Sequence, residues 1–124
     1  LPVDSDKSAR RIRDALSHRY ELNVAVIISD TFGRPWRRGV TDVAIGSAGL
    51  SPVVDLRGTT DALGRELQVT EVAVADELAA AAELVMGKSA GVPVAIVRGV
   101  NSDWFGDGTV QEDLLRKPNE DLFR

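Results

Sequence analysis

The chain has 124 residues, 44% hydrophobic and 27% charged, the balance of one small soluble domain able to bury roughly two-thirds of its unfolded surface. Fifteen Lys and Arg against nineteen Asp and Glu give a net charge of −4, which speaks against nucleic-acid binding through bulk charge. With no cysteine and one histidine, disulfides, thiolate metal sites, cysteine nucleophiles and multi-histidine metal cages are excluded within this chain.

No apolar stretch approaches the length of a membrane span, and no signal peptide is visible, so a cytoplasmic setting is expected. The chain opens on Leu1-Pro2-Val3 without an initiator methionine, which predicts a piece of something longer.

Asp4-Ser5-Asp6 supplies N-cap candidates. From Ser8 to Tyr20 the apolar residues Ala9, Ile12, Leu16 and Tyr20 recur at helical spacing, with Arg10, Arg11, Arg13, Asp14 and Arg19 on the other side. Val24-Ala25-Val26-Ile27-Ile28 follows, a short, mostly β-branched run that predicts a strand buried on both faces. It ends in Ser29-Asp30-Thr31. A carboxylate and a hydroxyl at a strand terminus sit where open sheets present their ligand crevice. Asp30 and Thr31 are hard oxygen donors of the kind magnesium or manganese prefers. Thr31–Val40 is expected as a loop whose Arg34, Arg37 and Arg38 suit phosphate or carboxylate recognition. A bland alternative stays open here: Asp30 as a turn former, the arginines as a solvated cluster, and Trp36 as a cover for the core edge.

Val43-Ala44-Ile45 predicts a second strand, and Gly46, Ala48 and Gly49 allow close backbone approach. Val53, Val54 and Leu56 suggest a third strand, Asp61–Gly64 a turn, and Glu66–Val69 a short edge strand. Arg57 is either a salt-bridge partner of Asp55 or Asp61, or a substrate contact. Thr70 is a candidate N-cap for a helix running to Met86 and stopping at Gly87. On that helix Val74, Ala75, Leu78, Ala81, Ala82 and Val85 fall on one side, and Asp76 and Glu83 on the other, as a solvated face. The loop Met86-Gly87-Lys88-Ser89-Ala90-Gly91 is not a Walker-type phosphate loop, since its spacing is wrong and its helix precedes it. Val92–Val97 predicts a second buried strand. Beyond Gly99 the chain turns polar, with Thr109 as a cap for a short helix through Leu115.

Ser29-Asp30-Thr31-Phe32-Gly33-Arg34-Pro35-Trp36-Arg37 is similar to the signature loop of the coenzyme F-420:L-glutamate ligases, the γ-glutamyl ligases of that deazaflavin. Further matches follow in the same order: Asp42–Gly46, Asp55–Gly58, Asp61 with Gly64–Leu67, Val74–Ala79, Met86-Gly87, and Pro93 through Gly99. The resemblance implies an α+β fold, a mixed β-sheet packed by a few helices within an intertwined dimeric ligase. Residues 1–100 would be the C-terminal portion of the ligase domain, with a further half upstream carrying another metal-binding aspartate and nucleotide contacts. Residues 101–124 would be a polar tail or interdomain linker, as in two-domain actinobacterial members where a nitroreductase-like domain follows.

The same resemblance implies GTP as co-substrate and a divalent metal, Mn2+ or Mg2+, with K+ as a further candidate ion. Asp30 and Thr31 match metal-contacting positions. Met86, Gly87, Lys88 and Ser89 match a loop that contributes to nucleotide binding, although some members have an acidic side chain there that Lys88–Gly91 does not supply. Arg34 and Arg37 are expected, from residue chemistry, to stabilise a transferring phosphoryl group or a substrate carboxylate. The implied partners are GTP, L-glutamate and the coenzyme F-420 precursor, in a homodimer, with no nucleic acid and no membrane. The rivals are a metal-dependent phosphate-ester hydrolase and a non-catalytic assembly fragment of a larger ligase.

Overall fold

In the computed structural model, which describes residues 1–123, a long antiparallel hairpin carries the fold. Its strands β1 (Val26–Arg34) and β2 (Arg37–Ala48) pair from Val26↔Ala48 out to Arg34↔Arg37, with Pro35-Trp36 at the turn. Register shifts at Ile28/Ser29 and Gly33/Arg34 leave extra residues in β2, as β-bulges do. The expected loop over Thr31–Val40 is therefore corrected: both arms of it are paired strand. Gly33, Pro35 and Gly39 depress strand propensity locally, but cross-strand pairing overrides them. The first strand is also not buried on both faces, since Val24–Asp30 are only half-buried. Asp30 lies inside an antiparallel strand, away from any parallel-sheet crevice.

Helix α1 (Ser5–Tyr20) is capped by Asp4, whose Oδ1 accepts from the Lys7 N–H at 2.8 Å. Its buried side is set by Asp6 and Ala9, while the apolar stripe Ile12, Leu16 and Tyr20 is exposed. Two features turn the helix this way. The first is the Asp6 carboxylate, which accepts from the backbone N–H groups of Ser47 (2.8 Å), Val110 (3.0 Å) and Gln111 (3.1 Å). The second is Gly46, where a Cβ would collide with the Ser5 backbone. A buried carboxylate with three satisfied bonds outranks a modest apolar stripe.

Short strands β3 (Val54–Asp55) and β4 (Glu71–Val72) pair antiparallel, so Thr70 leads into a strand instead of capping a helix. Helix α2 (Val74–Met86) starts later, at Ala73, with no side-chain cap. It ends as the sequence suggests, with the Gly87 N–H on the Glu83 carbonyl at 2.8 Å. Its buried residues are Val74, Ala75 and Ala79, whereas Val85 is exposed. The acidic stripe expected on the solvated face turns inward: Asp76 Oδ1 accepts from the Ala44 N–H at 2.9 Å.

Val92–Val97 is not a strand. It runs without ladder partners, and Val94 and Ile96 are 71% and 77% exposed. Glu66–Val69 contributes only the single bridge Thr60↔Glu66. The stretch after Gly99 returns to the body of the fold through a 3₁₀ turn (Ser102–Trp104) and a π turn (Val110–Leu114). Thr109 caps the latter, its Oγ1 accepting from the Glu112 N–H. Val110 closes the core with Ala44 and Ala75, flanked by Ile27 and Leu114. The architecture is α+β, two small antiparallel sheets packed by helices. Among the described residues no helix is long and apolar enough to cross a membrane.

Candidate functional site

Antiparallel register places Thr31 directly opposite Asp42. Side chains alternate along a strand, so Ser29 and Thr31 share a face, and both reach that carboxylate. Ser29 Oγ donates to Asp42 Oδ2 at 3.1 Å, and Thr31 Oγ1 donates to Asp42 Oδ1 at 3.3 Å. Beyond the end of α2, Gly87 reverses the chain at φ 60°, a left-handed value that suits glycine. Lys88 then reaches back to the hairpin. Its Nζ donates to Thr31 Oγ1 at 2.6 Å and to Asp42 Oδ1, while Glu83 Oε1 lies 3.9 Å away. An ammonium just past a helix C-terminus also complements the helix dipole.

The charges hold one another. The Asp42 side chain is 6% exposed and that of Lys88 47%, so a buried anion meets a half-exposed cation. The Lys88 hydrogen bond holds the Asp42 carboxyl below its usual range, with help from Ser29 and Thr31 and against the opposing effect of burial. The Lys88 ammonium is correspondingly raised, by its bond to Asp42 first and then by the nearby charges of Asp42, Glu83 and Asp30.

Of the residues singled out in the sequence, Thr31 and Lys88 come together. Met86 is half-buried, and Gly87 and Ser89 are exposed on either side of Lys88. Asp30 pairs with Val43, on the face opposite Thr31 by strand alternation. Arg34 and Arg37 pair across the hairpin end, three positions beyond Thr31 and so roughly 10 Å along the strand. Arg34 Nη2 meets the Gly39 carbonyl at 3.5 Å, and its buried Nε has no partner among the described residues. Trp36 is exposed and stacks on Phe123 with ring centres 6.1 Å apart, which does not favour the alternative that it covers the core edge. Arg57 is engaged by Asp55 at 2.6 Å and Glu71 at 3.3 Å, which favours the salt-bridge role over substrate contact. Asp42 and Glu83 were not expected at the site: Asp42 stood only in the Asp42–Gly46 match, and Glu83 was read on a solvated helix face. Only the hairpin register and the inward turn of α2 bring them to the site, although the shared spacing Ser29-x-Thr31 was visible.

A divalent ion wants about six hard oxygen ligands. Asp42, Thr31 and Ser29 offer one carboxylate and two hydroxyls of the right chemistry, but the Lys88 ammonium already stands on two of them. Cations of like sign at such separations repel strongly. As arranged, this face of the hairpin fits an ammonium and not a divalent ion as well. Among the described residues no group of three or more acidic or histidine side chains is placed to hold a metal. A recess of about 430 Å³ runs beside α1, lined by residues such as Lys7, Arg10 and Glu112, and includes none of the candidates.

Comparison with known proteins gives a consistent result. The family pattern described as F420-0:Gamma-glutamyl ligase matches residues 1–99. The chain is 49% identical over 125 residues to "Coenzyme F420:L-glutamate ligase" of Methanococcus maripaludis, covering all of this chain and 50% of that protein. Proteins of the same name from Methanocaldococcus jannaschii and Methanothermobacter thermautotrophicus are 47% and 52% identical, again over the whole chain. The chain thus spans about half the length of the curated relatives it matches.

Proposed function

Because the chain belongs to the F420-0:gamma-glutamyl ligase family, we propose that it serves a GTP-dependent ligase adding L-glutamate in γ-linkage to a coenzyme F-420 precursor. The observation that supports this best is the Lys88 ammonium held at the Thr31–Asp42 pair. It is a cation held against the hairpin from the end of α2, suited to a nucleotide's phosphate oxygens. In the proposed reaction a carboxylate oxygen of the precursor attacks the γ-phosphorus and GDP leaves. The amine of glutamate then attacks the acyl carbon, the amide bond forms, and phosphate leaves. The protein's part is positioning and charge neutralisation. Lys88, with the backbone of Met86–Ser89, would grip phosphate. Arg34 and Arg37, at the hairpin end, would hold the transferring phosphoryl group or a substrate carboxylate.

A divalent ion, Mn2+ or Mg2+, and K+ belong to the same proposal. Asp30, on the face of β1 opposite Thr31, is the carboxylate we assign to the divalent ion, with Thr31 committed to the ammonium. When bound, such an ion would act as a Lewis acid on phosphate. Homodimer formation, an upstream half of the domain and a cytoplasmic setting complete the proposal.

The test is a coupled assay on protein carrying this segment. A ligase releases GDP only when glutamate and the precursor are both present; release without them identifies a phosphate-ester hydrolase instead. Asp30→Asn is expected to abolish the coupled release without altering the fold, and unchanged turnover removes Asp30 from the site. A second reading, an assembly fragment, is favoured by one observation, the unpaired apolar segment Val92–Val97. Failure of any nucleotide to bind would select it.

A further inference from the structure

We infer that Lys88 is a tethered cation, standing at the Thr31–Asp42 oxygen pair where a divalent ion would otherwise bind, and that its remaining N–H is aimed at a polyphosphate oxygen. This deepens the proposed function, since that reading calls for a polyphosphate ligand.

The argument runs from donor counting. An ammonium has three protons and no acceptor. Asp42 Oδ1 and Thr31 Oγ1 take two of them. Glu83 Oε1, at 3.9 Å, is beyond hydrogen-bond reach, so its charge steadies the lysine without consuming the third proton. Ser29 and Thr31 spend their own protons on Asp42, so with Lys88 three of the roughly four acceptor positions of that carboxylate are taken. Two of the oxygens that would otherwise bind a metal, Asp42 Oδ1 and Thr31 Oγ1, are thereby engaged by the ammonium. The Lys88 side chain is half-exposed, so an anion can approach it from solvent. A metal arriving with a nucleotide has to bind elsewhere, and Asp30, which is on the other face of β1 but near enough for its charge to act on Lys88, is the carboxylate left for it.

The test counts metal and does not depend on turnover. Mn2+ is titrated into the protein by calorimetry, and tripolyphosphate is titrated separately without metal. In the native protein Asp42→Asn should leave Mn2+ affinity within twofold. In a Lys88→Gln background Mn2+ affinity should rise at least tenfold, a further Asp42→Asn should cancel the gain, and Lys88→Arg should behave as native. Tripolyphosphate affinity should fall at least tenfold in Lys88→Gln and be kept in Lys88→Arg. The inference is overturned if Asp42→Asn weakens native Mn2+ binding tenfold, or if Lys88→Gln with a native thermal melt gains no Mn2+ site. It is equally overturned if tripolyphosphate binds both forms alike. Should Lys88→Gln fail to fold, the ¹³C shift of the native Asp42 carboxyl decides: no movement on adding Mg2+ is expected, and movement overturns the inference. Loss of coupled GDP release with the predicted metal count intact would count against the ligase reading alone.

Discussion

At the scale of single residues, Asp42 governs the site. Its carboxyl is depressed mainly by the Lys88 hydrogen bond. A depressed carboxyl contributes stability that is present above its unfolded value, about 3.9, and lost as pH falls through the folded one. Asp55 behaves alike on the surface, held at about 2 by Arg57. Denaturant melts between pH 2 and 5 should therefore show a steep acid limb that Asp42→Asn flattens. An unchanged slope would mean the Asp42–Lys88 bond does not persist in solution. Lys88 is raised, so its share is complete below about pH 10.4 and fades only as pH climbs through the raised value. The alkaline limb should shift down in Lys88→Gln. The sequence offered Thr31 and Lys88 separately, from a resemblance and from hard-donor chemistry. Asp42 stayed hidden because its importance comes from lying opposite Thr31, a relation between strands and not a property of either.

At the scale of elements, backbone groups and carboxylates orient the helices more than apolar stripes do. Asp6 satisfies three N–H donors from two distant segments, those of Ser47 and Val110 buried and that of Gln111 partly so. Asp6→Ala leaves them unpaired, and at roughly 1–3 kcal/mol each for unsatisfied groups the loss should be about 3–5 kcal/mol, read from chemical denaturation. Gly46→Ala pushes a methyl into the Ser5 backbone and should cost about 1–3 kcal/mol, the usual range for overpacking. A negligible change would show that α1 does not lie as close as described. Glu21, at the C-cap, holds φ 55°, a left-handed conformation that costs a non-glycine residue roughly 1–2 kcal/mol. Glu21→Gly should therefore raise the melting temperature. Periodicity located both helices but misjudged the buried face of α1 and part of that of α2, where Val74 and Ala75 are buried as read and Val85 is exposed, because Asp6 and Asp76 read as polar and yet point inward to backbone N–H groups. The inner hairpin was read as strand at Val26–Ile28 and Val43–Ile45, but its outer part over Thr31–Val40 was missed for the opposite reason: its Gly, Pro and Arg residues carry no alternation, and cross-strand pairing holds it.

At the scale of the whole molecule, the chain exposes 9404 Å², against roughly 6,500 Å² for a compact protein of this mass. Its fully buried apolar residues are mostly alanine and valine, a thin core. Val92–Val97 was read as a buried strand from its composition; here it has no ladder partner, and its valines and isoleucine are open to solvent. A sequence marks a segment as fit for burial, but not which surface covers it. Purified alone, the chain should self-associate or bind a hydrophobic dye at micromolar concentration, and Val94→Lys with Ile96→Lys should reduce both. A monodisperse, dye-silent native monomer in sedimentation would contradict that.

The central claim is that a lysine fixed on a hairpin carboxylate grips the nucleotide. The most direct measurement is the GDP dissociation constant of the native protein beside those of Lys88→Gln and Lys88→Arg. The account predicts at least a tenfold loss for glutamine and near-native affinity for arginine. Equal affinity in all three would contradict it.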